Sequence, residues 1–470
     1  MLRRLAAFPI AMLITLACAS GALPQEHLLG QHGTNTLSGP TPLVRLSAPI
    51  VAAAAGPATA AEISEQLPGL VIVGTITFRE FMQRVESSNL ALAAERYNVP
   101  IAKAQLIASR VYPDPQLQVG GGGDITGQGQ VNTVIAGLNQ GILLGGKIGA
   151  REDAARATLK STDAGVADYL RNLRGQAADA FIDGVIGILK LRREYKGLER
   201  SRQLIEVNQE RLKKGEISED ELLRTRIAEL EAHSDLFDSQ SALHQTLGGL
   251  MGFMGAHQAE GLIAPVGNLE EPPRDFSVDE LIGKAVASRY DVVAARYALE
   301  SAQAQYRLAR ADRIPDPILG AEYDHFTRVT NPIDPSPAWD AVVASITVPL
   351  PLSNLNHGNL DAAYYQVLQS QKALEAAQLQ AEIDVRTAYQ HYRLAVTGTQ
   401  EFGGALMRDA DNLYKSKLLK LEKGSVGLID ILDAHQALDQ LYMDYYNALK
   451  REAQALVNLE QAAGIWDVDF

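Results

Sequence analysis

Pro113-Asp114-Pro115 returns as Pro315-Asp316-Pro317, and each triplet separates a helix-forming stretch from an alternating one. A proline lacks a backbone donor and pushes the residue before it out of the helical region, so the chain must change structure at both places. The triplets do not stand alone. Thr77–Ser88 and the run Asn89-Leu90-Ala91-Leu92-Ala93-Ala94-Glu95-Arg96-Tyr97 return as Ser277–Ser288 and Arg289-Tyr290-Asp291-Val292-Val293-Ala294-Ala295-Arg296-Tyr297. Lys214-Gly215-Glu216-Ile217 returns as Lys423-Gly424-Ser425-Val426. Three sets of markers in one order, about 200 residues apart, mean a duplicated unit. Any fold for this chain must be built twice.

After each triplet the apolar period becomes two. Gln116-Leu117-Gln118-Val119 alternates, as does Thr133–Asn139. Leu319, Ala321 and Tyr323 alternate with Gly320, Glu322 and Asp324, and Val342, Ala344, Ile346 and Val348 alternate with Val343, Ser345 and Thr347. The pattern predicts four two-faced strands in two hairpins, about 115–142 and about 317–349. A soluble antiparallel sheet and a membrane β-barrel share this alternation. Tyr323, Phe326 and Trp339 stand where a barrel places interfacial aromatics, or where a sheet packs them. Gly120-Gly121-Gly122-Gly123-Asp124 opens the first connection; no Lys-Ser/Thr and helix start follow, as a phosphate cradle requires.

Each hairpin leads into a stretch free of proline. The first, 147–214, forms a helix on the order of 100 Å long. The second, 357–423, carries Leu360, Tyr364, Val367, Leu374, Ala381, Val385, Ala388, Tyr392 and Ala395 at coiled-coil spacings. Such helices must bury their stripes against neighbours. Return helices are expected over 218–248 and 428–463, the first opened by the capping pattern Ser218-Glu219-Asp220-Glu221. The repeats therefore span 75–250 and 277–464, joined by a linker or equatorial region over 251–276, where Pro265, Pro272 and Pro273 cluster.

The N-terminus reads as an export signal over 1–22. Arg3 and Arg4 precede an apolar run, Leu5–Leu16, too short to span a bilayer, and small residues follow. Residues 23–74 keep no period and form an irregular arm. Cys18 is the sole cysteine, so no intrachain disulfide exists; it is either a lipidated first residue of a mature lipoprotein or a small residue inside an ordinary signal. A net charge of −13 excludes a nucleic-acid partner in any usual sense. The chain has no Cys pair, no His-Glu-x-x-His, no phosphate loop and no Gly-x-Ser-x-Gly, so it is not read as an enzyme, and no metal or cofactor site is expected.

Four strands cannot close a barrel, since the smallest single-chain membrane barrels use about eight. The strands must be shared between chains, and helices of this length must stand outside the membrane. The duplicated order, the Pro-Asp-Pro helix ends and the two glycine tips resemble the TolC-like outer-membrane efflux family over nearly all of 77–464. That resemblance implies a mixed α/β fold in a homotrimer. Four strands per chain would enter a twelve-stranded outer-membrane barrel, continued by an antiparallel α-helical coiled-coil tunnel in the periplasm. A periplasmic adaptor at the tips and an inner-membrane pump would be the partners. Leu143-Leu144-Gly145-Gly146-Lys147 and Pro349-Leu350-Pro351-Leu352-Ser353-Asn354-Leu355-Asn356-His357-Gly358 are similar to the cobalt–zinc–cadmium branch. That branch commonly reads Pro-Leu-Pro-Leu-Phe-Asn-Arg-Asn-Gln-Gly, from which Ser353, Leu355 and His357 depart. The branch implies a resistance-nodulation-division pump and heavy-metal cations as cargo. Drugs, exported polypeptides and a poreless periplasmic scaffold are the alternatives.

Carried over from the family, Asp430 and Asp433 would form rings of carboxylates at a periplasmic gate; the alternative is Asp430 as a helix cap and Asp433 as a solvated residue. Gly215, Ile217, Ser218, Gly424, Val426 and Gly427 are adaptor-contact candidates, or plain turn residues.

Overall fold

In a computed structural model the described residues are 71–123, 132–256, 261–270, 272–328, 337–350, 356–423 and 425–470. The first repeat opens with β1 (Ile72–Thr77) and α1 (Phe78–Ser88). Thr77 makes a full capping box: its hydroxyl accepts from the Glu80 amide, and the Glu80 carboxylate accepts from the Thr77 amide. Phe78, Phe81, Met82 and Val85 recur at helical spacing and are buried. Phe78 and Phe81 pack on Phe181, with ring centroids 5.2 and 5.6 Å apart. Next come α2 (Leu90–Arg96), opened by the Asn89 side chain, and α3 (Asn98–Ser109). Pro100 falls in the first turn of α3, where its missing donor does least harm.

Strands β2 (Gln116–Gly122) and β3 (Thr133–Gly141) then form the first hairpin. The chain turns into α4 (Lys147–Lys213), 67 residues without interruption, and returns as α5 (Glu219–Phe253). The return helix runs past Gly248-Gly249, which the sequence marked as a stop. Leu247, Leu250 and Met251 are buried around the glycines, and that packing outweighs their poor helix propensity.

The expected linker contains β4 (Leu262–Val266), which pairs in parallel with β1. The last residues of the expected arm and part of the expected linker are therefore ordered: Ile72–Thr77 is a strand, and its partner lies some 190 residues away. Pro265 is tolerated because this sheet has only two strands, so β4 is an edge. Gly184 on α4 lets β4 approach; a Cβ there would stand 2.6 Å from Pro265 Cγ.

The second repeat follows the same order with α6 (Val278–Ser288), α7 (Tyr290–Ala311), β5 (Ile318–Phe326) and β6 (Trp339–Thr347). Then come α8 (His357–Glu401), α9 (Gly404–Glu422) and α10 (Leu428–Ala463). The expected single helix over 357–423 is thus two, broken at Phe402-Gly403. Gly403-Gly404 follows a helix that has just left the main core, so little burial holds the backbone there. The break has no counterpart in α4. On α8, Ala381, Val385 and Tyr392 are buried as the seam requires, whereas Tyr364 is exposed.

The four long strands make one antiparallel sheet in the order β2-β3-β5-β6. The second repeat's Pro-Asp-Pro secures the first repeat's strand-to-helix junction. Lys147 donates to the Asp316 carboxylate and to the Ile314 carbonyl, each at 2.7 Å, and the Leu144 amide donates to Asp316 at 2.9 Å. Gly145 adopts φ of +71°, which favours glycine, and a Cβ there would stand 2.8 Å from Ile314 Cδ1.

Two separate cores result. The large one gathers α1, α4, α5, α8, α10 and the small sheet around Phe181, Leu247 and Val457. The small one lies at the far end of the second repeat: Leu204, Tyr414, Leu421, Leu428, Ile431 and Leu438.

Candidate functional site: sheet faces and helical tips

The register of the sheet sorts its side chains by parity. Leu117, Val119, Val134, Ala136, Leu138, Leu319, Ala321, Tyr323, Val342, Ala344 and Ile346 share one face. That face is open: Val342 is 81% exposed, Leu117 72% and Ile346 71%. The opposite face carries Gln116, Gln118, Asn139, Glu322, Asp324, Ser345 and Thr347. Asn139 donates to Gln118 across it. Gln116, Gln118, Ser345 and Thr347 are exposed as well, so nothing among the described residues covers the apolar side, which a soluble protein would bury. The aromatics divide as well. Tyr323 lies mid-strand on the apolar face. Phe326 and Trp339 belong to the polar face and stack with centroids 4.0 Å apart at the sheet's far end.

At the helical ends the two tips share a backbone return. Glu216 N donates to Arg211 O and Ser425 N to Lys420 O, both at 2.9 Å. Gly215 adopts φ of +74°, the left-handed cap that favours glycine. Ser218 then caps α5 through the Glu221 amide at 3.3 Å, whereas Gly427 offers α10 no side-chain cap. Only this half of the expected Ser218–Glu221 exchange is made by the cap's hydroxyl. Ile217 and Val426 are half-buried; Ser218 and Gly427 are exposed. Gly424 and Cys18 lie outside the described residues.

Asp430 and Asp433 are both exposed on α10 but have different surroundings. Asp430 Oδ1 is 3.9 Å from Lys417 Nζ, which also donates to the Asp430 carbonyl. Asp433 borders a groove of about 590 Å³ between α5 and α10, with Glu194, Glu231, Asp235 and Asp439.

Next to this groove is a buried polar network that the sequence reading missed. Asp439 accepts from Arg193 and Arg200 of α4, each at 2.7 Å. Arg193 also lies 3.8 Å over the Tyr442 ring, and Tyr442 donates to Asp411 of α9. His435, expected to point elsewhere, has Nε2 3.0 Å from Asp439, though not aligned for a hydrogen bond. Burial first, and then Arg200 and Arg193, lower its proton affinity against the pull of Asp439. Burial chiefly, then Asp235 and Asp439, pushes the Glu194 carboxyl up to about 7, opposed by Arg193 and Arg200. The available signal was two arginines seven apart on one helix, with His and Asp four apart on another. Among the described residues no group of three or more His, Cys, Asp or Glu is arranged to hold a metal, and no helix is long and apolar enough to cross a membrane.

Residues 281–465 match the family described as outer membrane efflux protein. The cobalt-zinc-cadmium resistance protein CzcC of Cupriavidus metallidurans is 24% identical over 396 residues, covering 83% of this chain and 90% of CzcC. Among solved structures, CusC superposes with a TM-score of 0.68 at 18% identity, over 83% of this chain and 94% of that one. The outer membrane protein VceC of Vibrio cholerae superposes at 0.66 with 16% identity, over 82% and 95%. The second repeat therefore carries the match to the outer membrane efflux protein family, the chain is similar to CzcC over most of its length, and it shares the fold of CusC and VceC, which places it in the outer membrane with a periplasmic extension.

Proposed function

We propose that three copies of this chain close a twelve-stranded barrel and that their helices continue it as a tunnel, a passive conduit for heavy-metal cations leaving the cell. The observation that carries this is the uncovered apolar face of a sheet with two open edges. Among the described strands β2 and β6 each have one partner. Unpaired backbone groups next to an apolar face cost several kcal/mol each in a bilayer, so β6 of one copy should pair with β2 of the next. The family resemblance selects three copies. Exposed Leu223, Ile227, Leu230 and Phe237 on α5, and Leu379, Leu394 and Leu413 on α8 and α9, supply apolar surface for the same lateral contact. The cargo follows the name of CzcC. A periplasmic adaptor at the tips, on Gly215, Ile217, Ser218, Gly424, Val426 and Gly427, and an inner-membrane resistance-nodulation-division pump complete the assembly.

Asp430 and Asp433 form the periplasmic gate, with Lys417 offsetting part of the Asp430 charge. Converging carboxylates from three copies attract cations and raise the cost of full ionisation. A heat-sensitive trimer on gels and single channels in planar bilayers test the conduit; a soluble monomer sinks it. The double variant Asp430→Ala, Asp433→Ala should raise conductance severalfold, and unchanged conductance refutes the gate. Loss of metal resistance in a deletion strain, with drug resistance and polypeptide secretion intact, identifies the cargo.

A further inference from the structure

The four strands contain no lysine or arginine, and on the polar face their only charges are Glu322 and Asp324. The two stand on alternate residues of β5, so their side chains leave the sheet on the same side. Across from Glu322 are Gly137 of β3 and Val343 of β6; across from Asp324 are Ile135 and Ala341. None of these can neutralise a carboxylate. Asp324 is only 8% exposed, and its Oδ1 has no hydrogen-bond partner. The Phe326–Trp339 stack lies next along the same face, toward the far end of the sheet. The one histidine of β5, His325, is on the other face and is held by Asp340 at 2.7 Å.

A buried carboxylate oxygen with no donor, next to a second carboxylate, is an unfilled demand for positive charge. We propose that Glu322 and Asp324 form a luminal cation site in each copy, where a hydrated divalent cation sits against the two carboxylates. This rests on the barrel reading above, which turns the polar face inward. Carboxylate oxygens suit hard, oxygen-preferring cations, with water completing the shell. Two protein ligands per copy make a weak site, as conduction requires: binding must be favourable enough to enter and loose enough to leave. The barrel then carries a cation relay of its own, at the opposite end of the molecule from the aspartates of the gate.

The test uses the full chain in planar bilayers, with Mn²⁺ added from the sheet's far side. Mn²⁺ should reduce the current through the parent channel. Half-block should need at least tenfold more Mn²⁺ in the double variant Glu322→Gln, Asp324→Asn, and the cation preference read from the reversal potential in a KCl gradient should fall. Val343→Lys, which sets an ammonium opposite Glu322, should act in the same direction. The shift should persist when the barrel variant is made in the Asp430→Ala, Asp433→Ala background, which takes the gate carboxylates out of the measurement. Equal midpoints and reversal potentials in parent and barrel variants overturn the site, as does a midpoint that moves only in the gate variant. A chain that forms no channel overturns the conduit beneath it instead, and heat-sensitive trimers on gels tell the two failures apart.

Discussion

The two repeats begin alike and end differently. In the first, α4 runs unbroken from the sheet to its tip, and Ser218 caps the return helix. In the second, the outgoing path breaks at Phe402-Gly403, the return helix starts at an uncapped Gly427, and the far end depends on a small core of its own. The two repeats therefore share a scheme of elements while the construction of their tips differs. The first repeat is a continuous strut. The second is a short module joined to that strut chiefly by Leu204 in the small core and by Arg193 and Arg200 on Asp439.

Removing the polar joint should break this asymmetry most strongly. Asp439→Ala leaves Arg193 and Arg200 without their carboxylate in a buried setting, which costs about 3 kcal/mol or more. Hydrogen exchange should speed up in α9 and the start of α10 and stay unchanged at the first tip. Equal acceleration at both tips contradicts the separation of cores.

Glu194 gives the next largest effect, through pH. Its carboxyl is raised from 4.5 to about 7 by burial first and neighbouring acids second. A raised acid destabilises the fold when ionised, so this penalty is full above about 7, declines as pH falls through that value, and is gone below 4.5. The chain should gain on the order of 1–3 kcal/mol between pH 8 and pH 5, allowing for partial exposure. Glu194→Gln should flatten that part of the melting-temperature profile; an unchanged slope assigns the effect elsewhere.

Smaller still are the caps. Ser218→Ala should cost about 1 kcal/mol at the first tip. Gly427→Ser should add a few tenths of a kcal/mol at the second, by giving α10 the side-chain acceptor it lacks. Local exchange rates at α5 and α10 should move in opposite directions. If both variants leave their tips unchanged, capping is not what distinguishes them.

Much of this architecture was legible because it is local. The four strands appear where period two replaced the helical period, and Leu117, Tyr323 and Val342 fell on one face by parity alone. The tips were marked by glycine and by Ser218. What could not be read were contacts between segments far apart in the chain. The β1–β4 pair joins residues about 190 apart, and nothing in Val71–Thr77 names its partner. The break at Phe402 left a signal in Gly403-Gly404, but an equal signal at Gly248-Gly249 sits inside a helix, because only packing tells the two apart. His435 looked peripheral from its helix alone and became part of a buried network once α4 lay beside it.

The sequence by itself determined the duplication, the placement of hairpins and helices, and the two-sidedness of the sheet, since prolines, glycines and side-chain periods act on their own few residues. The tertiary structure alone decided which charges meet. Lys147 finds Asp316 from the other repeat, Asp439 finds two arginines of α4, and Asp324 keeps an oxygen with no partner. Burial sets the value of a charge, and burial depends on neighbours that no local pattern specifies.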